Sequence, residues 1–490
     1  MTDTFQRRAI FVLAALLGSA TQGCASTPAP LPSSPAAEAP RARESASQSE
    51  TRKPAAAPYP STYKALPSEP VLITNATILT AAGDRIEGGS VLLSGGKVSA
   101  VGKTVEAPAG VATVDGKGKW VTPGIIDAHS HLGVYASPGV EAHDDGNEAT
   151  DPNTAEVWAE HSVWPQDPQF PLALAAGVTT QQILPGSANL FGGRSVTVKT
   201  VPARSVAEMK FPGAPYGLKM ACGENPKRVY GGRNRTPATR MGNVAGYRAA
   251  WIKAQKYRRD WDEYERKARD GDKSAKMPDR DLELETLAGV LDGEILVQNH
   301  CYRADEMLTM IDVAKEFGYK ITAFHHAVEA YKIADKLAEN GICADMWADW
   351  WGFKMEAFDG IRENIALVEK AGACAIVHSD SAEGIQRLNQ EAAKAMAAGN
   401  RMGMHLREED AIRWLTANPA KSLGIDRQTG TLEPGKMADV VLWSGNPFSV
   451  YSRAEKVYID GALVYDRNDP SHQPAMDFSL GLPGDPEAAQ

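Results

Sequence analysis

Cysteine is scarce in this 490-residue sequence: Cys24, Cys222, Cys301, Cys343 and Cys374 are all there is. No two of them form a Cys-x-x-Cys pair, which argues against a zinc finger and a dithiol redox motif. An exported chain can form disulfides, but this spacing proposes no pairing. A basic excess is missing as well: 52 Lys and Arg stand against 61 Asp and Glu, a formal net charge of −9. That balance argues against nucleic acid and gives no pull toward an anionic membrane. The apolar run Ala9–Leu17 is too short to span a bilayer as a mature helix. Large apolar residues are few between Ala25 and Pro67, which is rich in Ala, Pro and Ser. Such a stretch cannot bury enough surface to fold and reads as a tether.

With Arg7 and Arg8 before it, the Ala9–Leu17 run has the pattern of a secretory signal. Gly23-Cys24 is similar to a bacterial lipoprotein cleavage site, with Cys24 as the lipidated residue, although Thr21 and Gln22 depart from that pattern. Plain cleavage nearby, for example after Ala25, is the alternative. The expected location is the periplasm or the outer membrane of a bacterium, with membrane contact only through a lipid anchor.

The remainder has the 43% hydrophobic and 23% charged content of an ordinary folded enzyme. Its most informative stretch is Val121-Thr-Pro-Gly-Ile-Ile-Asp-Ala-His-Ser-His131. It reads as one short buried strand, entered from a turn at Pro123-Gly124 and ending in two histidines. Residues i and i+2 of a strand share a face, so His129 and His131 can reach one ion. Neutral imidazole is a strong ligand for zinc and related metals.

From Val121 to Ile425, strand-like apolar runs alternate with segments of helical periodicity such as Ala304–Phe317 and Ala382–Ala397. Repeated β-then-α over this length favours a (β/α)8, TIM-like barrel, with a doubly wound sheet as the second choice. Gly246–Asp270 reads as a helical excursion over that barrel. Short β-type runs return on both flanks, at Val71–Val114 and Gly430–Tyr465, and are expected to join into one small β-sandwich. In a barrel, active-site residues sit at the C-terminal ends of strands. His300 ends Ile295–Asn299, His325 and His326 end Ile321–Phe324, and Asp380 follows Ala375–Val377.

Together, Pro123–His131, His300-Cys-Tyr-Arg-Ala-Asp305, His326-Ala-Val-Glu-Ala-Tyr331, His378-Ser-Asp-Ser381, Ala417–Gly424 and Gly430–Asp439 resemble the amidohydrolase superfamily, in its imidazolonepropionase-like and metal-dependent dipeptidase branch. The resemblance covers about Val71 to Asp466. It implies His129, His131, His300, His326 and Asp380 as metal or catalytic residues, from strands one, five, six and eight. His325 is the alternative to His326, or a neighbour that contacts substrate. On the fourth strand the resemblance implies a carboxylated lysine or a glutamate bridging two metals. Lys219, in Gly217-Leu-Lys-Met, and Glu224, just beyond it, both remain open.

The implied activity is hydrolysis of an amide, peptide or cyclic amide by metal-activated water, with Asp380 as the proton carrier. His325 or His378 would stabilise the oxyanion. Deamination of a ring amine at the same site is the alternative. The implied cofactor is zinc or a related divalent metal, one ion or two. The implied partner is a small-molecule substrate, and an oligomer is allowed. Arg194, in the Gly-rich Asn189–Arg194 stretch, and Arg233 and Arg235 are candidate substrate contacts. The expected organisation is a signal peptide over 1–24, a tether over 25–67, a composite β domain from 68–120 and 426–467, the barrel over 121–425, and a tail over 468–490.

Overall fold

A computed structural model describes residues 58–106 and 108–473 of the chain. The expected signal peptide, Cys24 and most of the tether lie outside the described residues. On the N-terminal flank, β1 (Val71–Ile78), β2 (Ile86–Ser94), β3 (Lys97–Gly102), β4 (Ala112–Asp115) and β5 (Trp120–Pro123) precede the central domain. Gly95 and Gly96 both have positive φ, 60° and 75°. That makes the two-residue connection that pairs Ser94 with Lys97 in the β2–β3 hairpin.

Eight further strands form the centre: β6 (Ile125–Ser130), β7 (Val178–Ile183), β8 (Phe191–Lys199), β9 (Gly217–Ala221), β10 (Leu296–Cys301), β11 (Ile321–His326), β12 (Cys343–Met346) and β13 (Cys374–Val377). They follow one another in sequence order in a single sheet. The two ends of that sheet meet through point contacts rather than a ladder. The Asp380 amide donates to the His129 carbonyl at 3.0 Å, and the Ser379 amide donates to Asp127 at 3.2 Å. The result is a nearly closed barrel.

One strand departs from the expected (β/α)8 pattern. β8 runs antiparallel to both β7 and β9, while the other neighbours pair in parallel. Only residues 184–190 separate β7 from β8. A parallel crossover needs a dozen residues or more, so this short link makes a hairpin.

The C-terminal flank supplies β14 (Val440–Trp443), β15 (Ala454–Ile459) and β16 (Ala462–Asp466). β14 pairs antiparallel with β5, and β5 pairs with β1, so both flanks share one eight-stranded sheet. The expected sandwich is therefore seen as one continuous ladder. The Val121–His131 stretch also proves to be two strands. β5 belongs to the flanking sheet and β6 to the barrel, with only Gly124 between them. A Cβ on Gly124 would lie 2.0 Å from the Thr179 hydroxyl oxygen, so only glycine lets the chain pass β7 this closely.

The helical excursion is a 30-residue helix, Arg240–Arg269, whose first turn is capped by Thr239. Tyr247, Trp251, Ala254, Tyr257, Trp261 and Tyr264 form its buried stripe at three- and four-residue spacing. Trp251 packs against Phe191 of β8 and Tyr319, ring centres 5.4 and 4.3 Å away.

Candidate metal centre

The cluster is assembled at the C-terminal ends of the barrel strands. His129 ends β6 and lies fully within the protein, and His131 follows one residue beyond it. The two Nε2 atoms are 3.2 Å apart. Asp380, three residues past β13, brings its Oδ1 to 3.1 Å from His131 Nε2 and 3.5 Å from His129 Nε2. Lys219, central in β9, places Nζ 3.2 Å from His129 Nε2. His326 Nδ1 stands 3.8 Å from Asp380 Oδ2 and 3.1 Å from His378 Nε2. The His300 ring centre is 4.5 Å from that of His326.

Backbone geometry at two positions makes this convergence possible. His326 and Asp380 have φ of 71° and 49°. Non-glycine residues adopt such values at a cost of roughly 1–3 kcal/mol, and they do so mainly where the surroundings fix a functional geometry. Strict strand alternation would turn His325 and His326 to opposite faces. The positive φ at His326 breaks that alternation, and both rings come within 4.8 Å of the His129 ring.

The two rings then differ in their partners. His325 is held by Gln298 at 2.8 Å and by Asp345 at 3.1 Å, and it touches His129 Nδ1 at 2.8 Å. His326 lines a cavity of about 310 Å³. His325 thus props the cluster from within the barrel, and its contacts with Gln298 and Asp345 leave it away from that cavity.

Burial keeps the imidazoles neutral: it pushes His129, His300, His325 and His326 well below the usual histidine range and His378 down to about 4. Neutral imidazole is the form that binds a metal. Burial also lowers Lys219 to about 8, with the Asp380 charge opposing. For Asp380 burial acts upward, but the hydrogen bond and charge of His131 outweigh it and hold the carboxylate ionised. Asp127 is pushed up to about 7 by burial, against the hydrogen bond from Ser379 that ties the ends of β6 and β13 together.

A divalent cation fits this donor set. His129, His131 and Asp380 each offer one ligand atom, and these atoms all lie within 4.8 Å of one another; the same holds for His129, His326 and His378. His300 Nδ1 and His378 Nδ1 are buried without a hydrogen-bond partner. Unpartnered buried nitrogens and ring nitrogens facing each other at 3.2 Å cost stability that a shared cation would recover.

Other expected residues have different partners. Glu224 starts the helix Glu224–Gly231 and pairs with Lys354 at 3.5 Å, while Lys219 occupies the fourth-strand position beside His129. Arg194, a candidate substrate contact, is buried in side-chain packing. It belongs to β8, where Gly192 and Gly193 are strand residues and not loop. Its guanidinium stacks on Trp158 at 4.0 Å, donates to Thr286 at 2.8 Å, and is lowered to about 10 by burial. The reversed direction of β8 carries it to this packing site. Arg235 is occupied by an ion pair with Asp151 at 2.6 Å.

Several residues at the site escaped the sequence reading. Asp345 sits fully buried beneath His325, and a lone carboxylate inside the apolar run Ile342–Met346 was the available signal. Lys354 lies 3.8 Å over the Tyr302 ring and 3.4 Å from Asn225, which in turn approaches His300. Trp347 stacks on His326 with ring centres 4.3 Å apart. Three tryptophans within five residues, Trp347, Trp350 and Trp351, marked that segment.

Known proteins with similar sequences and folds place the chain in a family. The profile of the amidohydrolase family matches residues 284–470. A crystal structure of an amidohydrolase from Thermotoga maritima MSB8 shares 39% identity and a TM-score of 0.74, covering 81% of this chain and 100% of that one. An amidohydrolase of Hapsidospora irregularis is 32% identical over 434 residues, 81% of this chain. The aligned part is 43% of that relative, so this chain spans less than half its length. An imidazolonepropionase of Caulobacter vibrioides is 25% identical over 428 residues, 78% of this chain and 94% of the relative.

Proposed function

This chain belongs to the amidohydrolase superfamily, and from that premise we propose that it is a metal-dependent hydrolase of an amide, peptide or cyclic amide bond. The carrying observation is the convergence of His129, His131, Lys219, His300, His326 and Asp380 from strands one, four, five, six and eight of the barrel. His129, His131 and Asp380 would hold one ion, and His300 and His326 a second. Lys219 would be the ligand shared by both: burial lowers its amine to about 8, so its neutral form is more accessible than that of an ordinary lysine and can take up carbon dioxide to become an anionic oxygen donor. When bound, a divalent metal acidifies water and polarises the scissile carbonyl.

The residues of the chain do the rest. Asp380 accepts the proton of the attacking water and returns it to the leaving nitrogen. Its side chain is 24% exposed, against 18% for His131 and 1% for His129, so a water can reach it. His378, beside His326, is placed to donate to the developing oxyanion. His325, fixed by Gln298 and Asp345, orients His129.

The test joins metal analysis of the purified protein to a panel of dipeptides and lactams. Asp380→Asn is expected to keep the fold while losing about 10²–10⁴ in kcat. Near-normal turnover by that variant would remove Asp380 from its role. Ammonia release from a ring amine, with no amide cleaved, would replace the proposal by deamination.

We also propose that the protein is exported and anchored through Cys24. Two disulfides, Cys222–Cys301 and Cys343–Cys374, support an oxidising compartment, although the cysteine spacing alone suggested neither. Fatty-acid labelling that survives in Cys24→Ser would sink the anchor.

A further inference from the structure

The segment after β12 builds a second feature against the metal centre. Trp347 is buried and fixed by a 3.1 Å hydrogen bond from its indole N–H to the Ser379 carbonyl. One side of it stacks on His326, and Trp350 stacks on it with ring centres 4.8 Å apart and planes 11° from parallel. Histidine, tryptophan and tryptophan thus form one aromatic wall that starts at a proposed metal ligand. That wall lines the cavity of about 310 Å³, together with Val328, Trp351 and Ile361. Trp350 and Trp351 are 40% and 60% exposed. Large apolar surface open to water beside a site is a mark of ligand binding.

The charges on this cavity are also asymmetric. Asp349 is engaged by Lys394 at 2.8 Å. Arg362 lies on the exposed rim, and among the described residues no carboxylate stands within ion-pair distance of it. An arginine fork matches a carboxylate in shape as well as charge.

We propose that this cavity is the specificity pocket for a substrate carrying an aromatic or bulky apolar side chain next to a free carboxylate, as in a peptide or acyl-amino acid with an aromatic C-terminal residue. The side chain packs on Trp350 and Trp351, the carboxylate pairs with Arg362, and the scissile amide then falls beside His326. This rests on the hydrolase reading, and it names the substrate class for the same site.

Two kinds of measurement test it on the metal-loaded protein. In the first, kcat/KM is compared for Gly-Phe, Gly-Gly and Gly-Phe amide. Trp350→Ala is expected to lower the Gly-Phe over Gly-Gly ratio at least tenfold. Arg362→Gln is expected to lower the Gly-Phe over Gly-Phe amide ratio by a similar factor. In the second, calorimetry follows binding of N-acetylphenylalanine and N-acetylglycine, with the same variants. Binding that keeps this preference while no amide is cleaved supports the pocket and refutes the hydrolase reading. Hydrolysis with no preference for the aromatic acid, or ratios unmoved by both variants, overturns the pocket. Failure of N-acetylphenylalanine to bind more tightly than N-acetylglycine overturns it too.

Discussion

Lys219 is a buried amine with an imidazole at 3.2 Å and, among the described residues, no carboxylate within ion-pair distance. Burial draws it from the ordinary 10.5 to about 8. Between those values the unfolded chain holds a proton that the folded chain has lost, so stability rises with pH across that window. Below it, folding carries the full penalty of the buried ammonium, up to roughly 3 kcal/mol. Denaturant titrations of metal-free protein at pH 8 and pH 10 are expected to show this gain, and Lys219→Met is expected to lose it. Equal slopes in both proteins would place the amine in water. The same residue shows what single positions disclose: Lys219 and Glu224 were both eligible in sequence, because a five-residue offset decides nothing until β9 fixes which side chain faces the histidines.

Among the elements, the β5–β6 junction does the most positioning. One chain segment serves two sheets, and Gly124 is the hinge where it passes Thr179 of β7. A methyl group there meets atoms at 2.0–2.7 Å, which forces β6 away from β7 and takes His129 with it. Gly124→Ala is expected to destabilise the protein by about 1–3 kcal/mol and to weaken metal retention. A thermal melt and metal analysis check both, and an unchanged melting temperature would mean that the junction can relax. The apolar continuity of Val121, Ile125 and Ile126 made these strands look like one. Hydrophobicity reports burial, and both sheets bury this segment. The antiparallel β8 was hidden for a related reason, since residue patterning along a strand is the same in either direction.

At the scale of the molecule, the barrel and the flanking sheet are joined by a buried ion cluster. Lys199 at the end of β8 reaches Asp439 before β14 at 3.1 Å and Asp460 between β15 and β16 at 2.7 Å. Thr429 and Tyr63 add hydrogen bonds to the two carboxylates, at 2.9 and 2.6 Å. Removing the cation strands two buried carboxylates, so Lys199→Met is expected to cost about 3–5 kcal/mol. Urea midpoints measure this, and the metal content of the folded variant is expected to stay that of the wild type. A midpoint within error of wild type would show that water reaches the cluster.

What the sequence determined by itself is the set of ligand-type residues and their assignment to strand ends. His129, His131, His300, His326 and Asp380 each follow an apolar run, which places them at the barrel's strand ends, but the choice of His326 over His325 and the turn of His326 and Asp380 into the cluster rest on their positive φ. Tertiary structure alone decided the direction of β8, the division of Val121–His131 between two sheets, and the packing role of Arg194. It also decided the pairing of the cysteines and the aromatic wall from His326 to Trp350. These depend on which distant segments come into contact, and local spacing carries no information about contacts that the closing of the barrel creates.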